Sequence, residues 1–217
     1  MVASVLAPEN GKAEWEELLR PEPLARGAEP EQRVVFCGVS WKRYLAFDRT
    51  LGDDRPGPRL YYLDGELEIM TTSNEHERAK KWIGGFLEDY FLETGIEIVT
   101  RGQATMRLAL KEAGAEPDES WCLGGEKEFP DLVLEVALTS GGTNKLEIYR
   151  RFKVPEVWFW RRRKLEIFAL GSSGSYKPLR SSRLLRGLDI ALLERCMSLN
   201  SWQQARQAFR AALSKPK

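Results

Sequence analysis

Residues 130–161, PDLVLEVALTSGGTNKLEIYRRFKVPEVWFWR, decide the fold. PDLVLEVAL is apolar on both faces except at Glu135, the pattern of a central strand covered from both sides. GGTNKLEIYRRFKV reads as a helix that Pro155 ends, and VWFWR as a second buried strand. Alternation places Asp131, Val133, Glu135 and Ala137 on one face of the first strand. A carboxylate at Glu135, between Leu134 and Val136, costs several kcal/mol or must protonate unless a cation or hydrogen-bond donors meet it.

On the N-terminal side, RLYYLDGELEIM reads as a hairpin around Asp64-Gly65, and TTSNEHERAKKWIGGFLEDYFLETG as a long helix closing at Gly95. Before them, RVVFCGV is a strand, and Ser40 caps the helix WKRYLAFDRTLG. IEIVTRG, ATMRLAL and SWCL read as strands, with the acidic KEAGAEPDE leading into the last. KLEIFAL and SYKPL form a hairpin around GSSGS, and the chain is helical from about Leu188 to Lys215. The fold class is α/β, a central mixed sheet flanked by helices. Residues 1–32, with PEPLARGAEPEQ, read as a flexible N-terminal extension to one domain over 33–217.

With 217 residues, 42% of them hydrophobic and 10% aromatic, the chain can bury a core, which excludes wholesale disorder. Lys and Arg number 33 against 32 Asp and Glu, a net charge of +1 that excludes a polycation but not a local basic patch. Cys37, Cys122 and Cys196 have no metal-ligand or disulfide spacing, so a reducing cytoplasm is the expected compartment. No signal peptide opens the sequence, and no apolar run of membrane-spanning length occurs in it. His76 is the single histidine, so a site built on a histidine pair is excluded. Dinucleotide, P-loop and hydrolase-elbow motifs are absent.

What remains is carboxylate chemistry. Asp118, in EPDES, lies 17 positions before Glu135 at another strand edge. Two carboxylates on neighbouring strands suit a hard divalent ion such as Mg²⁺. The plainer reading is a salt bridge from Glu135 to a nearby Lys or Arg. Lys145 and Tyr149, at i and i+4, share a helix face from which Lys145 could reach back toward Glu135. Residues 112–135 hold eight acids against Lys127, a net of −7. Residues 150–164 hold seven basic groups (among them Arg150, Arg151, Lys153, Arg161, Arg162 and Arg163) against Glu156, a net of +6. A metal site beside a polyanion track would look like this, although WFW also reads as core and RRRK as a solvated turn. Glu66 and Glu68 read as a solvated strand face, and His76 as a cap or surface residue.

The segments YYLDGELEIM, EPDES, FPDLVLEV, K…Y and VPEVWFW, in that order, resemble the Uma family of putative restriction endonucleases, of the PD-(D/E)XK nuclease superfamily. The resemblance runs from about Val34 to the last helix. It implies a restriction-endonuclease-like core and Mg²⁺-dependent phosphodiester hydrolysis, with Mn²⁺ as a substitute. Asp118 and Glu135 would be metal ligands, and Lys145 the motif lysine moved to the following helix. Glu66 and His76 match family positions near the site and would be accessory, as would Tyr149 from its place beside Lys145; on the charge pattern, Arg150, Arg151, Lys153, Arg161, Arg162 and Arg163 would contact nucleic acid, DNA before RNA. Asp131, about 13 Å along the strand from Glu135, reads as structural. A homodimer would allow both strands to be cut. Two departures bear on activity: Ala137 stands where the superfamily places its lysine, and Asn144 where close relatives would carry an acid. Turnover then depends on Lys145, and the alternative is a nuclease fold that only binds nucleic acid or protein.

Overall fold

The computed structural model describes residues 31–52, 57–138 and 142–214. Most of the expected N-terminal extension, and part of the DDRPGP loop, lie outside the described residues. Gln32, at the extension's end, donates its backbone N–H to the Thr71 hydroxyl at 3.1 Å.

Two sheets form. The first has the order β1-β3-β2-β6-β5. Its strands are β1 (Arg33–Phe36), β2 (Arg59–Leu63), β3 (Glu66–Met70), β5 (Met106–Leu108) and β6 (Ala113–Ala115). The second has the order β11-β10-β9-β8-β7-β4. It comprises β4 (Ile98–Thr100), β7 (Glu119–Leu123), β8 (Leu132–Val136), β9 (Glu156–Arg161), β10 (Lys164–Leu170) and β11 (Tyr176–Leu179). Five α-helices are present among the described residues: α1 (Trp41–Leu51), α2 (Asn74–Thr94), α3 (Lys145–Phe152), α4 (Ile190–Met197) and α5 (Trp202–Leu213).

Residues 130–161 fold as a β8-α3-β9 unit. β8 and β9 run parallel, with Glu135 beside Phe159, and β7 pairs antiparallel on the other side of β8. β8 is therefore central, buried at all five positions. Leu132, Leu134 and Val136 face one core with residues of α2, α4 and α5. Val133 faces a second core formed by α3 and the first sheet, including Tyr61, Ile148 and Phe152. Trp158, Phe159 and Trp160 are buried, so WFW is core. The site face of β8 thus looks into the space between the two sheets.

Local chemistry sets the ends of the helices. Ser40 and Ser73 cap α1 and α2, accepting from the Arg43 and His76 amides. Gly95 closes α2 in the left-handed conformation. Three elements depart from the sequence reading. The flanking helices cover two sheets rather than one. β6 arises within KEAGAEPDE, where Ala-Gly-Ala has little strand propensity but pairs with both β2 and β5. Gly114 is required there because a Cβ would collide with the Tyr44 ring. The C-terminal helix is two helices, since Ser201 caps a new one by accepting from the Gln204 amide.

α5 is held by its apolar stripe: Phe209 is fully buried, with its ring 4.8 Å from Phe86 on α2. Phe209→Ala should cost about 3–5 kcal/mol, seen as a lower melting temperature with far-UV circular dichroism retained at 25 °C.

Candidate active site

The β7–β8 register pairs Glu119 with Leu134, and Asp118, immediately before β7, comes up beside Glu135 and Val136, accepting from the Val136 amide. Both side chains are fully buried. The charge of Asp118 acts on Glu135, and like charges repel. Each carboxylate is met by its own donors.

Glu135 accepts from Lys145 Nζ at 2.7 Å and from the Tyr61 hydroxyl at 2.9 Å, both on Oε2, and from the Tyr149 hydroxyl on Oε1. Lys145 also lies 3.5 Å above the Tyr61 ring, an attractive placement for a cation. The lysine and Tyr149 reach the same carboxylate because they are one helical turn apart on α3. Burial pushes the Glu135 carboxyl above its ordinary value, Lys145 opposes this, and the charge of Asp118 adds to it. Burial beside Glu135 also drives the Tyr61 and Tyr149 phenols well up, so both remain protonated donors.

Asp118 accepts from His76 Nε2 at 2.8 Å and from the Val136 amide at 2.7 Å, with Arg59 Nε at 3.8 Å. Burial opposes its charge, yet the hydrogen bond and charge of His76, followed by Lys145, hold it below the usual carboxylate range. His76 Nδ1 faces Glu31 Oε2 at 2.9 Å. With a carboxylate at each ring nitrogen both must donate, so the ring is an imidazolium. Burial alone would lower its pKa, but the two hydrogen bonds raise it to about 9.

The network continues through Arg33, 3.2 Å from Glu31 and 3.0 Å from Glu68. Glu68 Oε2 in turn accepts from the Thr143 amide at 2.6 Å. Four carboxylates (Glu31, Glu68, Asp118, Glu135) thus balance four cations (Arg33, Arg59, His76, Lys145), all with side chains no more than 10% exposed. Neutrality lets such a cluster stay buried.

Beside Lys145 opens a cleft of about 600 Å³. Its lining includes Thr143, Arg161 and Arg162. Arg162 and Arg163 form the two-residue turn between β9 and β10, both at positive φ (48° and 62°). Asn-Gly is the ordinary choice for that geometry, and a side chain there costs roughly 1–2 kcal/mol per residue.

The structure brings together Asp118, Glu135, Lys145, Tyr149 and His76. Glu66 is exposed at the start of β3, apart from the network. Arg150 and Arg151 pair with Glu147 on α3, and Arg151 also with Asp64. Lys153 is exposed at the helix end and Arg163 at the hairpin tip. Asp131 accepts from the Leu123 amide and Lys127, a structural role. Two readings of the sequence are corrected. Glu68 is not on a solvated face, because its strand is covered between β1 and β2. His76 is fully buried rather than at the surface. Sequence reasoning missed Glu31, Arg33, Arg59, Tyr61 and Thr143. Only Arg59 and Tyr61, polar groups in the buried strand RLYYL, left any signal.

Two carboxylates from neighbouring strands, with a lysine from the next helix, in a mixed α/β fold define a restriction-endonuclease-like protein. The family model Uma2 (Putative restriction endonuclease) matches residues 41–203, and the chain belongs to that family. No curated protein matches it. No described helix is long and apolar enough to cross a membrane.

Lys145→Met leaves Glu135 buried without its cation and should destabilise the protein by about 3–5 kcal/mol. Adding Glu135→Leu should recover most of that loss. Chemical denaturation of the two variants gives the comparison, and equal destabilisation of both would refute it.

Proposed function

We propose that the protein is a metal-dependent endonuclease that hydrolyses nucleic-acid phosphodiester bonds, with DNA the favoured substrate. The observation that carries this reading is the convergence of Asp118, at the start of β7, on the Glu135–Val136 end of β8, with Lys145 Nζ 2.7 Å from Glu135. The donor set fits Mg²⁺, which is held by one or two carboxylates and completes its shell with waters and substrate phosphate oxygens. Among the described residues no group of three His, Cys, Asp or Glu side chains is placed to hold an ion, so the protein would supply part of the shell and not a closed cage. Mn²⁺ would take the same ligands.

When bound, Mg²⁺ supplies Lewis-acid polarisation of the phosphate and lowers the pKa of an attached water. The protein's own groups do the rest. Lys145, clamped between Glu135 and the Tyr61 ring, places a positive charge where the phosphoryl oxygens gain charge. Tyr149 and Tyr61 fix the Glu135 carboxylate. The His76 imidazolium, locked by Glu31, keeps Asp118 ionised and oriented toward the Val136 amide. Arg161 and Arg162, in the cleft beside Lys145, would contact the nucleic-acid backbone. Asp64 and Glu147 already engage Arg150 and Arg151, which would contribute less. The exposed Lys153 and Arg163 add general positive charge. A cytoplasmic homodimer is the assembly this reading implies.

One observation favours a second reading. All four oxygens of Asp118 and Glu135 already accept a donor, and Ala137 stands where the superfamily lysine would be, so the fold could bind nucleic acid without cutting it.

Plasmid and single-stranded DNA incubated with Mg²⁺ or Mn²⁺ should be cleaved by the wild type and left intact by Asp118→Asn, Glu135→Ala and Lys145→Met. The expected loss is at least about 10²-fold for the lysine, the scale of one lost electrostatic stabiliser. Salt-sensitive DNA binding with no cleavage under any metal would select the second reading.

A further inference from the structure

The cleft beside Lys145 is lined by the apolar side chains of Leu138, Leu146 and Phe159 and by the polar ones of Lys145, Thr143 and Arg162. Its volume, about 600 Å³, is that of a small-molecule pocket. Thr143 is 6% exposed, and its hydroxyl has no hydrogen-bond partner among the described residues. A buried hydroxyl left unsatisfied is unfavourable, and a turn of the Thr143 side chain toward the cleft that it lines would let a ligand oxygen satisfy it. Arg162, also at the cleft, is carried by a turn whose positive-φ backbone favours Asn, Asp or Gly over a long side chain. Such strain is typical of positions held for function. Glu166, also at the cleft, is paired with Arg161 at 3.3 Å, which leaves the net lining cationic.

We propose that this cleft is a subsite for one unpaired nucleotide of the substrate strand. Thr143, Lys145 and Arg162 take its phosphate, and its base lies against Leu138 and Leu146. The proposal rests on the nucleic-acid reading of the site and adds the substrate class: a single strand, a frayed end or a flap, rather than an intact duplex. Phosphates of a closed duplex could reach the rim, but stacked base pairs could not use the apolar wall. Recognition through an unstacked base and a cationic groove is the general mode for single strands.

The test is fluorescence anisotropy in EDTA, where no cleavage occurs, with a short single-stranded DNA and the same sequence as a blunt duplex. Wild type should bind the single strand about tenfold more tightly, the scale of one seated base. Leu138→Trp, which fills the cleft, should abolish that preference. Arg162→Asn combined with Arg163→Gly relieves the turn and should melt about 2–4 °C higher. The same double variant should weaken single-strand binding and lower its salt slope by about 0.7 for each phosphate it no longer neutralises. Thr143→Val should weaken it as well. Equal affinity of wild type for the two DNAs would overturn the proposal, as would unchanged binding in all three variants. Metal-dependent cleavage of duplex and single strand alike, lost in Glu135→Ala, would overturn the subsite while the nuclease reading stood. Single-strand preference that the variants remove, without cleavage under any metal, would overturn the nuclease reading and leave the subsite.

Discussion

Two carboxylates converge in the middle of a sheet that has little water to separate them. Like charges repel more strongly there than in water, before either is charged for leaving water. Asp118 and Glu135 persist there because each has a cation at closer range, His76 at 2.8 Å and Lys145 at 2.7 Å. Attraction at that distance outweighs the mutual repulsion, since the Coulomb energy rises as the separation falls. Much of the architecture can be understood as the means of delivering those cations.

Lys145 arrives because β8 and β9 are parallel, which requires a crossover, and α3 is that crossover. Glu68 fixes the backbone just before α3 by accepting from the Thr143 amide. Gly142 is needed beside it, since a Cβ at its φ of 92° would strike the Glu68 carboxylate. His76 arrives from the first turn of α2, and Glu31 holds its far side. The segment before β1 is therefore part of the site's electrostatics, as it supplies Glu31, and Arg33 follows at the start of that strand.

Pairing of this kind sets a tension between stability and use. The cations that make a buried carboxylate pair tolerable also occupy the oxygens through which it could hold a metal. Cleft and network meet at Lys145 and Arg33, so a bound polyanion would act on the groups that neutralise the carboxylates. The hairpin of Arg162 and Arg163 shows a similar tension in the backbone, where turn geometry and side-chain charge make opposite demands.

Residue order alone is enough to specify most of the local elements and the central carboxylates. Glu135 is legible because one charge in an apolar strand has no innocuous place, and Lys145 with Tyr149 because helical spacing is fixed by the backbone. Asp118 is legible from a proline-acid strand edge. The partners of these groups emerge from the folded arrangement. His76 lies far along the chain from Asp118, as do Glu31 from His76 and Arg33 from Glu68, and nothing in their spacing distinguishes them from solvated charges. The division into two sheets is hidden for a related reason, since β6 of the first sheet is made from Ala-Gly-Ala and gains its strand character from the neighbours it pairs with. Burial of Glu68 beside exposure of Glu66 follows from one strand lying between two others. Alternation puts those two residues on one face, but only packing decides how far along that face the solvent reaches.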